Sequence, residues 1–314
     1  MSVGIAFTNR LEAIAITDSR ASLSGRQTDS VDKMGEFHGD KYAGVVFGTG
    51  SGDFVEGVIR NLSGFSAENL DEFVELVHKG YKDRLDNYDN LYLASKIVEI
   101  EKKARLIENE EERKEFTKQK VSEAMQNYDK SKSEGATYFV LIGYDNEKGR
   151  VRLFTFDQLI NYEVSQNHRE IGSGADGANL YLSTKLQGVD SSKLGLADLA
   201  FFALNAYATS TVNQGVGGTP KIARISREGC EIIPAEKTVV LVNLSGAYLS
   251  DFNTSVLGHE LIRSRFEEVL DCDHPEYNIM AQQVGLNEDT LRTTYIPLSS
   301  WQERANRRLF NQAQ

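Results

Sequence analysis

Two short apolar runs, Val3-Gly4-Ile5-Ala6-Phe7 and Ala13-Ile14-Ala15-Ile16, flank a polar turn at Thr8-Asn9-Arg10 and predict a β-hairpin at the start of the chain. A polar Ser/Gly stretch, 21–30, follows as a loop. Val31 to Phe37 then alternates like a half-buried strand with Lys33 in its middle. Tyr42 to Phe47 is a buried strand, closed by Gly48-Thr49-Gly50-Ser51-Gly52-Asp53 before a helix through Phe54, Val58, Ile59 and Leu62. From Ser66, read as an N-cap, to about Lys132 the pattern is helical, and its densely charged part, Glu99 to Lys120, reads as an exposed helical arm ended by Gly135.

The second half repeats these devices. Thr137 to Tyr144 and Arg150 to Phe156 form a hairpin across Asp145–Gly149. Glu170-Ile171 runs into Gly172-Ser173-Gly174 and a helix, and Leu196 to Ala208 is an apolar helix with an N-cap near Ser192. Lys221 to Ile225 hairpins through Glu228-Gly229 into 230–234; beyond Pro234 a strand is expected over Lys237 to Leu244 and a helix over Ser255 to Asp271. Met280 to Asn287 is faintly like a helix-turn-helix corner. Strands and helices are segregated without βαβ alternation, which predicts an α+β fold of two antiparallel sheets with helices outside them.

A formal charge of -11 argues against a nucleic-acid partner, since phosphate contacts need surplus Lys and Arg. That weighs against the helix-turn-helix reading as well. No run of about 18 apolar residues and no signal-peptide pattern is present, so no membrane association and a cytoplasmic location are expected. The two cysteines, Cys230 and Cys272, form no metal-ligand spacing and read as buried small hydrophobes. No metal or cofactor is called for.

The candidate chemistry begins at Ser2. Removal of Met1, usual before so small a residue, leaves a serine whose own α-amine can serve as its base. The Gly48–Asp53 turn lets backbone N–H groups point into a cavity at the positive end of a helix, which suits a phosphate cradle or an oxyanion hole. It lacks the GxxxxGK[ST] and GxGxxG patterns of nucleotide sites. Lys33 on its own reads as a solvated strand residue.

In their order, four pieces resemble the proteasome β subunits, within the N-terminal-nucleophile (Ntn) hydrolases, with bacterial proteasome homologues and archaeal connectases as possible near neighbours. The pieces are the hairpin ending in Thr17-Asp18-Ser19-Arg20, the strand with Lys33, the Gly48 turn, and Ile171-Gly172-Ser173-Gly174. The family's acidic residue lies sixteen positions after its nucleophile, as Asp18 does after Ser2; its lysine matches Lys33 after a one-residue deletion.

The resemblance implies a four-layer αββα sandwich over 2–234, interrupted by a helical insertion at about 66–135, with an α/β extension over 235–314. It also implies the roles: Ser2 as nucleophile, Lys33 beside it, Asp18 holding Lys33, the N–H groups near Thr49 and Gly50 as oxyanion hole, and Ser173 supporting the amine. The activity implied is hydrolysis of peptide or other amide bonds through an acyl-enzyme, with peptide or protein as substrate and self-association into a homo-oligomer or ring. Acyl transfer to an amine, as in a connectase-type ligase, and an inactive ring-forming or binding scaffold stand as alternatives. The departures are Ser in place of the usual Thr, Met1 in place of a propeptide, and Asn213 and Val216 where the family has Asp and Ser before its Gly-Gly pair.

Overall fold

Strands that are apolar on both faces require cover on both faces, and here they receive it from helices on one side and a second sheet on the other. The computed structural model describes residues 2–19, 21–23, 26–28, 32–50, 52–134, 137–156, 160–211, 216–250 and 258–312. Met1, Arg20, Ser51, Gly135 and Asn213, each invoked above, lie outside the described residues.

In chain order the strands are β1 (Gly4–Thr8), β2 (Ala13–Thr17), β3 (Ala21–Leu23), β4 (Arg26–Thr28), β5 (Met34–Gly39) and β6 (Tyr42–Thr49). After them come β7 (Tyr138–Asp145), β8 (Arg150–Phe156), β9 (Asn161–Glu163), β10 (His168–Ile171), β11 (Lys221–Ser226) and β12 (Gly229–Ile232). The helices are α1 (Gly52–Asn61), α2 (Leu70–Ala104), α3 (Glu110–Glu134), α4 (Ala175–Lys185), α5 (Leu196–Ser210), α6 (Ala235–Leu249), α7 (His259–Asp271), α8 (Tyr277–Gln283), α9 (Glu288–Thr293) and α10 (Leu298–Gln312).

One five-stranded antiparallel sheet runs β10-β1-β2-β11-β12 and a second β5-β6-β7-β8-β9, while β3 and β4 pair as a small two-stranded sheet within the stretch expected as a loop. Alternation along each strand sorts the core into layers. Ala6, Ala13, Ala15 and Ala223 of the first sheet meet Phe47, Val140, Ile142 and Leu153 of the second, small residues against large. On the outer face of the first sheet, Ile5, Phe7, Ile14 and Ile16 pack beneath α4 and α5. On the outer face of the second, Val46, Phe139 and Leu141 pack under α1 and the first turns of α2. The result is the α+β, four-layer αββα sandwich with a helical insertion and a C-terminal extension.

The insertion is a helical hairpin. Leu70, Phe73, Val74, Val77 and Tyr81 root α2 in the core, and past them it carries exposed Leu91 and Val98. Its N-cap is Asn69, whose side chain accepts from the Glu72 N–H at 2.9 Å, three residues later than the expected Ser66. Likewise α5 starts at Leu196, with Asp198 returning to the Gly195 N–H; Ser192 lies in a preceding 3₁₀ turn.

The strand expected over Lys237 to Leu244 is a correction: it forms α6, and every described element of the C-terminal extension is a helix. The misreading has a physical cause. Residues 238–247 of α6 are buried all round, so the run carries no helical period to distinguish it from a buried strand. In α8 and α9 the apolar residues Met280, Ala281 and Leu291 face inward. Cys272 is exposed at the end of α7, against expectation, while burial pushes the Cys230 thiol up to about 12.

Candidate active site

Ser2 sits just ahead of β1, and its main chain is fixed by the turn between β10 and α4. The Gly174 N–H donates to Ser2 O at 3.1 Å, and the Ser2 N–H donates to Ser173 Oγ at 3.1 Å. That approach demands glycine at 172: φ is +91°, and a Cβ there would lie 2.3 Å from Ser2 O. The sequence pattern Gly172-Ser173-Gly174 is therefore a seat for the Ser2 backbone.

Asp18 follows the last residue of β2, which pairs with β1, so the hairpin returns the carboxylate to the residue next to Ser2. Val3 N–H donates to Asp18 Oδ1 at 3.1 Å, and Asp18 N–H to Val3 O at 3.1 Å. Lys33 lies immediately before β5, outside the expected strand interior, and its carbonyl accepts from the Gly48 N–H at 3.0 Å. Its Nζ donates to Ser2 Oγ at 2.8 Å and to Asp18 Oδ1 at 2.8 Å. Both members of the pair are buried, Lys33 at 3% exposure and Asp18 at 1%. A lysine read as a solvated strand residue is thus an interior cation joining the two sheets.

The electrostatics follow from that burial. Loss of water pushes the Asp18 carboxyl above its ordinary value, against the lowering pull of Lys33 and of the Val3 and Gly217 amides. A buried cation at 2.8 Å from a hydroxyl favours the alkoxide form of that hydroxyl, so the arrangement can activate Ser2 Oγ.

Thr49 ends β6, and Gly50 adopts φ +125°, where a Cβ would strike Thr137 Oγ1 at 2.6 Å. Thr49 packs beside Gly172, since a Cβ built there would lie 2.9 Å from Thr49 Cγ2. Its Oγ1 is buried and, among the described residues, makes no hydrogen bond. Of the six candidates, Ser2, Asp18, Lys33 and Ser173 are joined by hydrogen bonds, and Thr49 and Gly50 lie on the adjoining turn. The contribution of Gly217 was missed. Its sequence signal is the Gly217-Gly218 pair at a strand entry, both at positive φ, with Gly218 O held by the Tyr207 hydroxyl at 3.0 Å. Among the described residues no group of three or more His, Cys, Asp and Glu side chains could hold a metal ion.

Two five-stranded antiparallel sheets between helical layers define a proteasome-like, Ntn-type fold. Solved structures similar to this chain are an Anbu mutant from Hyphomicrobium sp. strain MC1 and Anbu, described as an ancestral β-subunit, from Yersinia bercovieri. The first is 15% identical with a TM-score of 0.51, covering 74% of this chain and 85% of its own; the second is 14% identical with a TM-score of 0.51, covering 74% and 87%. No family model matches the chain, and no curated protein matches it either. These findings correct the resemblance drawn from the sequence: membership among the proteasome β subunits, with bacterial homologues or connectases nearby, gives way to a likeness of fold to Anbu proteins.

Proposed function

We propose that this chain is an N-terminal-serine amidohydrolase of the peptidase kind. The observation that carries the reading is the buried Lys33 Nζ, 2.8 Å from both Ser2 Oγ and Asp18 Oδ1. Cytoplasmic removal of Met1 converts the Ser2 amide into an α-amine, which Ser173 Oγ holds from 3.1 Å. That amine takes the hydroxyl proton as Ser2 Oγ attacks an amide carbonyl, and Lys33 stabilises the charge on the oxygen while Asp18 anchors Lys33. N–H groups at Thr49 and Gly50 receive the oxyanion. The C–N bond then breaks, the α-ammonium returns the proton to the leaving amine, and water hydrolyses the ester on Ser2. Self-association belongs to the same reading; light scattering that gives a monomer at micromolar concentration counts against it.

The test combines intact mass with labelling by a β-lactone. The expected results are a chain lacking Met1 and covalent labelling that Ser2→Ala abolishes. A chain that fully retains Met1, or undiminished labelling of Ser2→Ala, refutes the reading.

A further inference from the structure

A side chain outside the proposed site reaches both neighbours of Lys33. Lys221, the first residue of β11, pairs in register with Thr17, directly before Asp18. Its Nζ donates to Asp32 Oδ1 at 2.9 Å, to Asp32 Oδ2 at 3.1 Å and to Met34 O at 3.0 Å. Residues 32 and 34 bracket Lys33, so a single ammonium grips the chain on either side of it.

The location gives the contact its meaning. Ser2 and Asp18 belong to the end of the first sheet, while Lys33 introduces β5 of the second. The 2.8 Å contact from Lys33 to Ser2 therefore depends on how the two sheets sit against each other at this end. The Gly48 amide fixes Lys33 O within the second sheet, and Lys221 ties the same segment back to the first. The ion pair is half open to solvent, with side-chain exposures of 34% for Lys221 and 54% for Asp32. Pairs of that exposure add little stability. Placement of a reacting group is far more sensitive, since an error near 1 Å can cost about a hundredfold in rate.

We propose that Lys221 and Asp32 are positioning residues that clamp the Lys33 segment, so that its ammonium stays on Ser2. The proposal rests on the reading of Ser2 as nucleophile, and its experiment separates the two. Full-length chain and the variants Lys221→Met, Lys221→Arg, Asp32→Asn and Lys221→Met/Asp32→Asn are labelled with the β-lactone, resolving the maximal labelling rate from the half-saturating concentration. Hydrogen exchange of the Gly48 amide, bonded to Lys33 O, is followed in parallel.

Lys221→Met and Asp32→Asn each lower the maximal rate about tenfold, the half-saturating concentration stays put, and the double variant falls no further. Lys221→Arg, which retains the donor, stays within about twofold. Gly48 exchange quickens about tenfold in Lys221→Met. A maximal rate for Lys221→Met within about twofold of the parent, or additive losses in the double variant, overturns the clamp. If the parent chain takes no label, the nucleophile reading falls, and Gly48 exchange alone decides: quickened exchange upholds the clamp, unchanged exchange overturns it.

Discussion

Lys33→Met removes the buried ion pair with Asp18 together with the bond to Ser2 Oγ. At 2.8 Å the attraction between Lys33 and Asp18 is gross, about 6 kcal/mol at an effective dielectric of about 20, and is largely offset by the water both groups give up. Removing the cation leaves that desolvation uncompensated. Asp18, at 1% exposure, is left among the described residues with the Val3 and Gly217 N–H donors, and the expected loss is about 3–5 kcal/mol at pH 8. Proton uptake gives the carboxylate an escape, and burial already holds its pKa above the ordinary value. Losing Lys33 raises it further. A carboxyl raised in the folded state binds its proton there more tightly than in the unfolded chain, so it favours folding at low pH and ceases to as pH rises through the raised pKa. The deficit of Lys33→Met against the parent is thus smaller at pH 5 than at pH 8. Lys33→Met/Asp18→Leu, which removes both charges, recovers most of the loss. Urea unfolding followed by the fluorescence of Trp301, the chain's single tryptophan and fully buried, measures all three. A Lys33→Met loss under about 1 kcal/mol at pH 8, or a double variant as unstable as the sum of its singles, refutes the reasoning.

Gly172→Ala forces a Cβ to within 2.3 Å of Ser2 O at φ +91°; a loss of about 2–3 kcal/mol and at least a tenfold slower β-lactone labelling are expected, checked by urea unfolding and labelling kinetics. Arg152, at 5% exposure, bonds Asp145 at 3.1 Å, Asp71 at 2.7 Å and Glu163 at 2.6 Å, so Arg152→Met strands a buried Asp145 and costs about 3 kcal/mol in the same assay. Hydrogen bonds from Arg152 hold the Glu163 carboxyl below its ordinary value, and at Asp71 the bonds from Lys148 and Arg152 outweigh a raising effect of burial. Both then contribute stability above their unfolded pKa that is lost as pH falls through the lowered values, an acid-side slope that Arg152→Met flattens. Trp301→Ala empties a site packed against Gly246 and costs about 3–5 kcal/mol by calorimetry, the figure for large aromatic truncations.

What the sequence made legible was local. The β1–β2 hairpin announced itself because its strands pack small residues inward and Ile and Phe outward, and the hairpin alone sets Asp18 beside Val3, next to Ser2. The Gly172–Gly174 run was legible as a strand-to-helix turn, whereas the approach of Ser2 O to a glycine at φ +91° became visible only in the fold. Lys33 could not be read alone. Its partners lie 31 and 15 positions away in the other sheet, and nothing in its own neighbourhood distinguishes an interior lysine from a solvated one. Only the folded sandwich brings them within 2.8 Å of its ammonium. The run in α6 was misread as well: Val239, Val240, Leu241 and Val242 have the composition of a strand, and complete burial against α5, α7, α9 and α10 erased the period that marks a helix.

These two failures share a cause, which bears on how the site is built. In both, the deciding interactions come from elements distant in sequence that the sandwich brings together. A site whose nucleophile and cation stand on different sheets inherits its geometry from inter-sheet packing. The small residues Ala6, Ala13, Ala15 and Ala223, against Phe47 and Val140, set that packing. A larger side chain at any of them would separate the sheets and lengthen the Lys33–Ser2 contact without touching either residue.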